Sequence, residues 1–211
     1  MQASETGMSR TTRYKLQYLV ALAVALALAG IAVWALRGRP LALLGLAVLL
    51  VIPGRVSGFL WRDLYRGRRL CDAGRFEASL TASRRFISLL TERPRLRRLW
   101  WLTWAIYTRD SKAMAYNNVG AAQLNLGRLT EAESAFREAL IADPEYPMPH
   151  FNLGVLFTIR GESLAAQQHA NAAMTLGYHR DASDRIANAA AALTARIEGR
   201  GPGLPASHAD A

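Results

Sequence analysis

A chain of 211 residues has room for roughly one ordinary domain and some extras. It is 51% hydrophobic and has a single cysteine, Cys71, which excludes an intrachain disulfide and a cysteine-rich zinc site. The formal net charge of +10 lies in the first half: residues 1–111 hold 18 Lys+Arg against 6 Asp+Glu (+12), and residues 112–211 hold 8 against 10 (−2).

The basic residues sit beside apolar segments, the pattern of a membrane surface. A nucleic-acid face would interleave phosphate-binding and base-stacking groups on a folded domain, and no nucleic-acid partner is expected. After a tail over 1–15, Leu16 to Leu36 runs 21 positions without a charge. At about 1.5 Å per residue a helix there covers the ~30 Å hydrocarbon core. Tyr14, Tyr18 and Trp34 lie towards its ends, where amphipathic rings favour the headgroups. Ala27-Leu28-Ala29 resembles a signal-peptidase site, but the apolar run is longer than a signal core. Arg37-Gly38-Arg39-Pro40 turns the chain into a second apolar segment, about 41–60, interrupted by Pro53-Gly54-Arg55. It reads as a second span with Arg55 snorkelling near its exit, or as a re-entrant or interfacial segment. Residues 16–61 are thus expected to form a transmembrane helical hairpin. Arg10, Arg13 and Lys15 before it and Arg62, Arg66, Arg68 and Arg69 after it outnumber Arg37 and Arg39 at its tip. By the positive-inside rule both termini face the cytoplasm. The ratio of 24 arginines to 2 lysines suggests a GC-rich bacterial gene, hence a bacterial inner membrane.

Further along, Asn118-Val119-Gly120 recurs as Asn152-Leu153-Gly154, and Gly127, Ala132 and Ala139 recur as Gly161, Ala166 and Ala173, all 34 residues later. This 111–178 stretch resembles the tetratricopeptide repeat family, whose unit is a 34-residue pair of antiparallel helices. Gly120 and Gly154, set opposite Ala132 and Ala166, let two helices cross closely. Gly127 and Gly161 suit left-handed helix ends, and Asp143-Pro144 stops a helix. The second unit departs from the pattern, with Ala170 in place of Phe136 and Gly177-Tyr178 in place of Asp-Pro. Gly74-Arg75-Phe76-Glu77-Ala78 echoes Gly127-Arg128-Leu129-Thr130-Glu131-Ala132, so 62–94 reads as a degenerate helical pair. An aromatic and basic amphipathic helix over 95–110 accounts for the excess spacing. Its Arg95, Arg97, Arg98, Trp100, Trp101 and Trp104 suit a membrane interface, or a core beneath the degenerate pair. Over 179–198, Ile186, Ala190, Leu193 and Ile197 share one face, as a capping helix requires. Residues 199–211 lack periodicity and read as a disordered tail.

The fold expected is therefore all-α: a membrane hairpin, a short solenoid of the tetratricopeptide type and a capping helix. The family resemblance implies a concave surface that accepts a protein or peptide partner. Asn118 and Asn152 match an asparagine that some members use to bind peptide backbone, or are simply common residues there. Asn117, Ala121, Asn125, Phe151, Val155 and Ile159 fall on or near that surface, as do Gln123 and Thr158. Asn117 and Phe151 stand where the lysines of a carboxylate clamp would be sought, so an acidic C-terminal tail is not the expected ligand. No phosphate loop, His-Glu-x-x-His or paired nucleophile and base occurs, so no catalysis, cofactor or metal is expected. His150, His169, His179 and His208 show no metal-ligand spacing and read as surface or packing residues. The function expected is a membrane-anchored adaptor or scaffold. The alternative is a membrane-structural or lipid-associating protein whose repeats mainly self-assemble.

Overall fold

The computed structural model describes residues 10–96, 107, 108 and 110–199. Among them the chain is helical, with no strand. The elements are α1 (Arg10–Ala35), α2 (Pro40–Leu60), α3 (Arg62–Asp72), α4 (Phe76–Glu92), α5 (Ser111–Asn125), α6 (Leu129–Ala142), α7 (Pro147–Ile159), α8 (Ser163–Thr175) and α9 (Ala182–Gly199). The all-helical expectation and the two apolar N-terminal helices stand.

Helix α1 starts six residues before the apolar run, taking in part of the expected tail. Gly38, at φ +90°, turns the chain, and Pro40 opens α2 at a position where its missing amide costs nothing. Pro53-Gly54-Arg55 does not end α2, which stays helical through 21 residues. Almost none of either helix is buried, and large apolar side chains such as Leu19, Leu26, Trp34, Leu44 and Leu49 stand exposed on them. A helix apolar on every side and covered by no protein suits hydrocarbon rather than water. Both helices are long and apolar enough to cross a membrane.

From α3 onward the helices pack in consecutive pairs: α3 on α4, α5 on α6, α7 on α8. The pairs also meet one another through α4 with α5 and α6 with α7. Each pair turns on a glycine: Gly74, Gly127 and Gly161 have φ of +76°, +79° and +77°. An L side chain there would cost about 1–2 kcal/mol. The residue after each glycine donates its amide five residues back, Arg75 to Leu70, Arg128 to Gln123 and Glu162 to Phe157, at 2.8–3.0 Å. Gly177 and Tyr178 close α8 in the same way, Tyr178 N to Ala173 O at 2.9 Å. These bonds satisfy carbonyls that a helix end otherwise leaves open.

Seven residues before each of those turn glycines (74 − 67, 127 − 120, 161 − 154) lies a second, buried glycine: Gly67, Gly120 and Gly154. Ala166 does lie opposite Gly154, its carbonyl 3.5 Å from where a Cβ would sit, but larger or polar side chains stand nearer to all three. A Cβ on Gly67 would meet Ser83 Oγ at 2.3 Å, and one on Gly120 would meet the Phe136 ring at 2.5 Å. One on Gly154 would meet Ile186 Cδ1 at 2.6 Å. The reason is volume. Ala170 replaces a phenylalanine in the second unit, and α9 fills the space with Ile186.

The main core joins Leu124, Phe136, Leu153, Leu156 and Phe157 to Ile186, Ala190 and Leu193 of α9, with Ile197 packed on its edge. A second cluster centres on Trp61, Leu64, Phe86, Leu90 and Ala115, and Leu96 packs against it. The helix expected over 95–110 lies mostly outside the described residues, including Arg97, Arg98, Trp100, Trp101 and Trp104. Arg95 is exposed in a turn.

Candidate functional site

The residues expected to line a groove come from α5 and α7, whose order in the stack is set by the pairing just described. Asn117 is buried, and its Oδ1 accepts a hydrogen bond from Asn152 Nδ2 at 2.9 Å. Asn118 is buried too and donates from Nδ2 to the Leu64 carbonyl of α3 at 3.3 Å. Each buried amide thus finds a partner in a neighbouring helix, as buried polar groups must. These asparagines tie α3 to α5 and α5 to α7.

Asn125 donates to the Ala121 carbonyl at 2.8 Å and accepts from Arg196 Nη1 of α9 at 2.7 Å. Val155 is buried in the main core with Ile186 and Leu193, and Ile159 and Phe151 are partly buried against it. Ala121 is half-buried. Gln123 is buried, its Oε1 at 3.5 Å from Arg128 Nη1, and Thr158 donates to the Gly154 carbonyl at 2.8 Å. The tertiary structure therefore brings Asn117 with Asn152, and Asn125 with α9. Ala121, Asn125, Phe151, Asn152, Thr158 and Ile159 keep some side-chain surface, and of these Ala121, Phe151 and Ile159 carry no polar group engaged in packing.

Two polar clusters went unforeseen. Glu133 on α6, nearly buried, is clasped by Arg137 one turn on and by Arg160 Nη1 from the end of α7 at 2.5 Å. His150 and His169 meet across α7 and α8 with their Nδ1 atoms 2.9 Å apart, and Phe157 stacks on His169 at 5.4 Å between centroids. At that distance one Nδ1 donates and the other accepts, so the accepting ring is neutral. Burial lowers the pKa of His150, opposed by a hydrogen bond to the backbone carbonyl of Pro144. Burial, the neighbouring His150 and Arg137 lower that of His169 against the pull of Glu133. The repeat offset hints only at an inward-facing position for His169, since 34 residues earlier it matches the buried Ala135. Among the described residues no group of three or more metal-ligating side chains forms.

The end of the domain that carries the N-termini of α5 and α7 is held by a polar clasp and an aromatic cluster. Asp110 caps α5, its Oδ1 accepting from Lys112 N at 2.8 Å and Ala113 N at 3.1 Å. Thr108 Oγ1 donates to the buried Asp143 at the end of α6 and accepts from Asp110 N at 3.0 Å. Tyr178 stands between Tyr107 and Phe151, with ring centroids at 6.1 and 4.8 Å.

No family model, no curated protein and no solved structure matches this chain.

Proposed function

We propose that this protein is a membrane-anchored adaptor of the tetratricopeptide type, holding protein partners at a bacterial inner membrane with its helical domain on the cytoplasmic side. The reading rests on one observation: three helix pairs repeat the same two-glycine frame, Gly67/Gly74, Gly120/Gly127 and Gly154/Gly161, directly after two apolar helices. A stack of like pairs creates an extended face that a single pair lacks, which is how repeat arrays bind. The hairpin α1–α2 supplies the anchor, and Arg62, Arg66 and Arg69, on the outward face of α3, follow the positive-inside pattern. Leu96 packs with Trp61 where α2 ends, and it lies in the sequence segment that holds Arg95, Arg97, Arg98, Trp100, Trp101 and Trp104. The composition of that segment suits the headgroup layer.

Because Asn117, Asn118 and Asn152 already serve the packing, the partner contacts assigned to this face are Ala121, Phe151 and Ile159. A photo-crosslinking residue at Ala121 of the full chain, expressed in its own membranes, tests this. A discrete adduct with a different protein, lost when the probe moves to exposed Ser134, is expected. Adducts with further copies of the same chain alone would favour the self-assembling reading and end the adaptor one.

A further inference from the structure

One end of the helical domain is joined directly to α2. Between α2 and α3 only Trp61 intervenes, and the helical ladder runs through it: Trp61 N donates to Ser57 O and Tyr65 N to Trp61 O, both at 3.0 Å. Ser57 and Trp61 are 5% and 1% exposed, so the domain grips the junction. Helix α3 thus follows α2 directly, and whatever lies level with the start of α3 lies next to any bilayer that α2 crosses.

The contacts trace that level across the domain. Trp61 packs with Leu90 at the end of α4 and Ala115 at the start of α5. The start of α5 is tied through Thr108 to Asp143 at the end of α6. Tyr107 continues to Tyr178 at the end of α8 and Phe151 in the first turns of α7. On the same rim Ile141, in the last turn of α6, is 74% exposed, and Arg93, Arg95 and Arg180 are exposed.

From this geometry we infer that the rim carrying Ile141 and Tyr178 docks on the phospholipid surface, so that the helix stack stands on the membrane with its Gly74, Gly127 and Gly161 turns pointing away. An aromatic with a polar tip and an exposed isoleucine match the boundary between headgroups and acyl chains. Arginines beside them match anionic phosphates. Tethering through α2 makes the contact intramolecular, so a small surface suffices. The inference rests on α2 spanning the bilayer, but not on the identity of any protein partner.

The test uses the full chain, with Cys71→Ser, in vesicles of phosphatidylcholine and phosphatidylglycerol. Single cysteines carry an environment-sensitive fluorophore: Ile141→Cys and His179→Cys on the rim, Glu162→Cys at the opposite end, Val48→Cys within α2. Nitroxide headgroup lipids are expected to quench positions 141 and 179 severalfold more than 162, and acyl-chain nitroxides to quench 48. Quenching at 48 with no difference between 141, 179 and 162 would overturn the docking while leaving the anchor intact. A blue-shifted but unquenched probe at 141 would mean that protein covers the rim, and would overturn it too. No quenching at 48 would overturn the span of α2 and the docking with it.

Discussion

At the scale of single residues, glycine at Gly120 is required by the ring it faces. A methyl added there would lie 2.5 Å from the fully buried Phe136, which has no room to move. Alanine gains about 1 kcal/mol of helix propensity but meets an overpacking cost of roughly 1–3 kcal/mol. We expect Gly120→Ala to lower the melting temperature of the detergent-solubilised protein, whereas Gly30→Ala in α1, where nothing lies within 4 Å, leaves the domain's melting unchanged. The His150–His169 pair makes a pH prediction. Both pKa values are lowered in the fold, so the unfolded chain binds protons more readily. Their contribution to stability is full above the ordinary histidine value near 6.5 and is lost as pH falls through it towards the lowered folded values. Melting curves between pH 7.5 and 5.5 should show a fall in midpoint that His150→Asn with His169→Asn reduces. An equal fall in both proteins would assign the acid sensitivity elsewhere. Little of this pairing was legible in the sequence, because a hydrogen bond across 19 residues depends on how α7 rolls against α8.

At the scale of elements, α9 is the instructive case. Its apolar stripe, Ile186, Ala190, Leu193 and Ile197, was readable from spacing alone, as was its capping role. What it caps was not: Ile186 enters the space over Gly154 left by Ala170, and Arg196 reaches Asn125 of α5. Ile186 is 4% exposed. Truncating a buried isoleucine costs about 2–5 kcal/mol, against a total stability of roughly 5–15 kcal/mol. Ile186→Ala should therefore lower the melting midpoint by many degrees, while Ala substitution of exposed Ser183 leaves it in place. Equal midpoints for the two variants would show that α9 does not cover the second pair. The turns between paired helices were equally legible, since only glycine takes the left-handed conformation there without strain. The groove asparagines were not. Their position on α5 and α7 was readable, but whether an amide faces solvent or a neighbouring helix depends on how closely α3, α5 and α7 approach.

At the scale of the whole molecule, charge and apolarity are divided along the chain. Residues 62–95 carry nine arginines against four acids (+5), while 111–199 carry seven cations against nine anions (−2). The positive share thus sits in the helix pair joined to α2, and a near-neutral stack follows it. By itself the sequence determined the local features: helical content, two apolar segments of bilayer length, the 34-residue offset and the glycines at turns. Each of these depends on backbone conformation or on a period within one helix, and such constraints are written in neighbouring residues. Tertiary structure alone decided which side chains face one another. Phe136 over Gly120, Ile186 over Gly154, Asn118 on Leu64 and the meeting of His150 with His169 are contacts between helices, chosen by volume and by the need to satisfy buried polar groups. The direction in which the stack leaves α2 was decided there too, because Trp61 is held by residues from α3, α4 and α5 together.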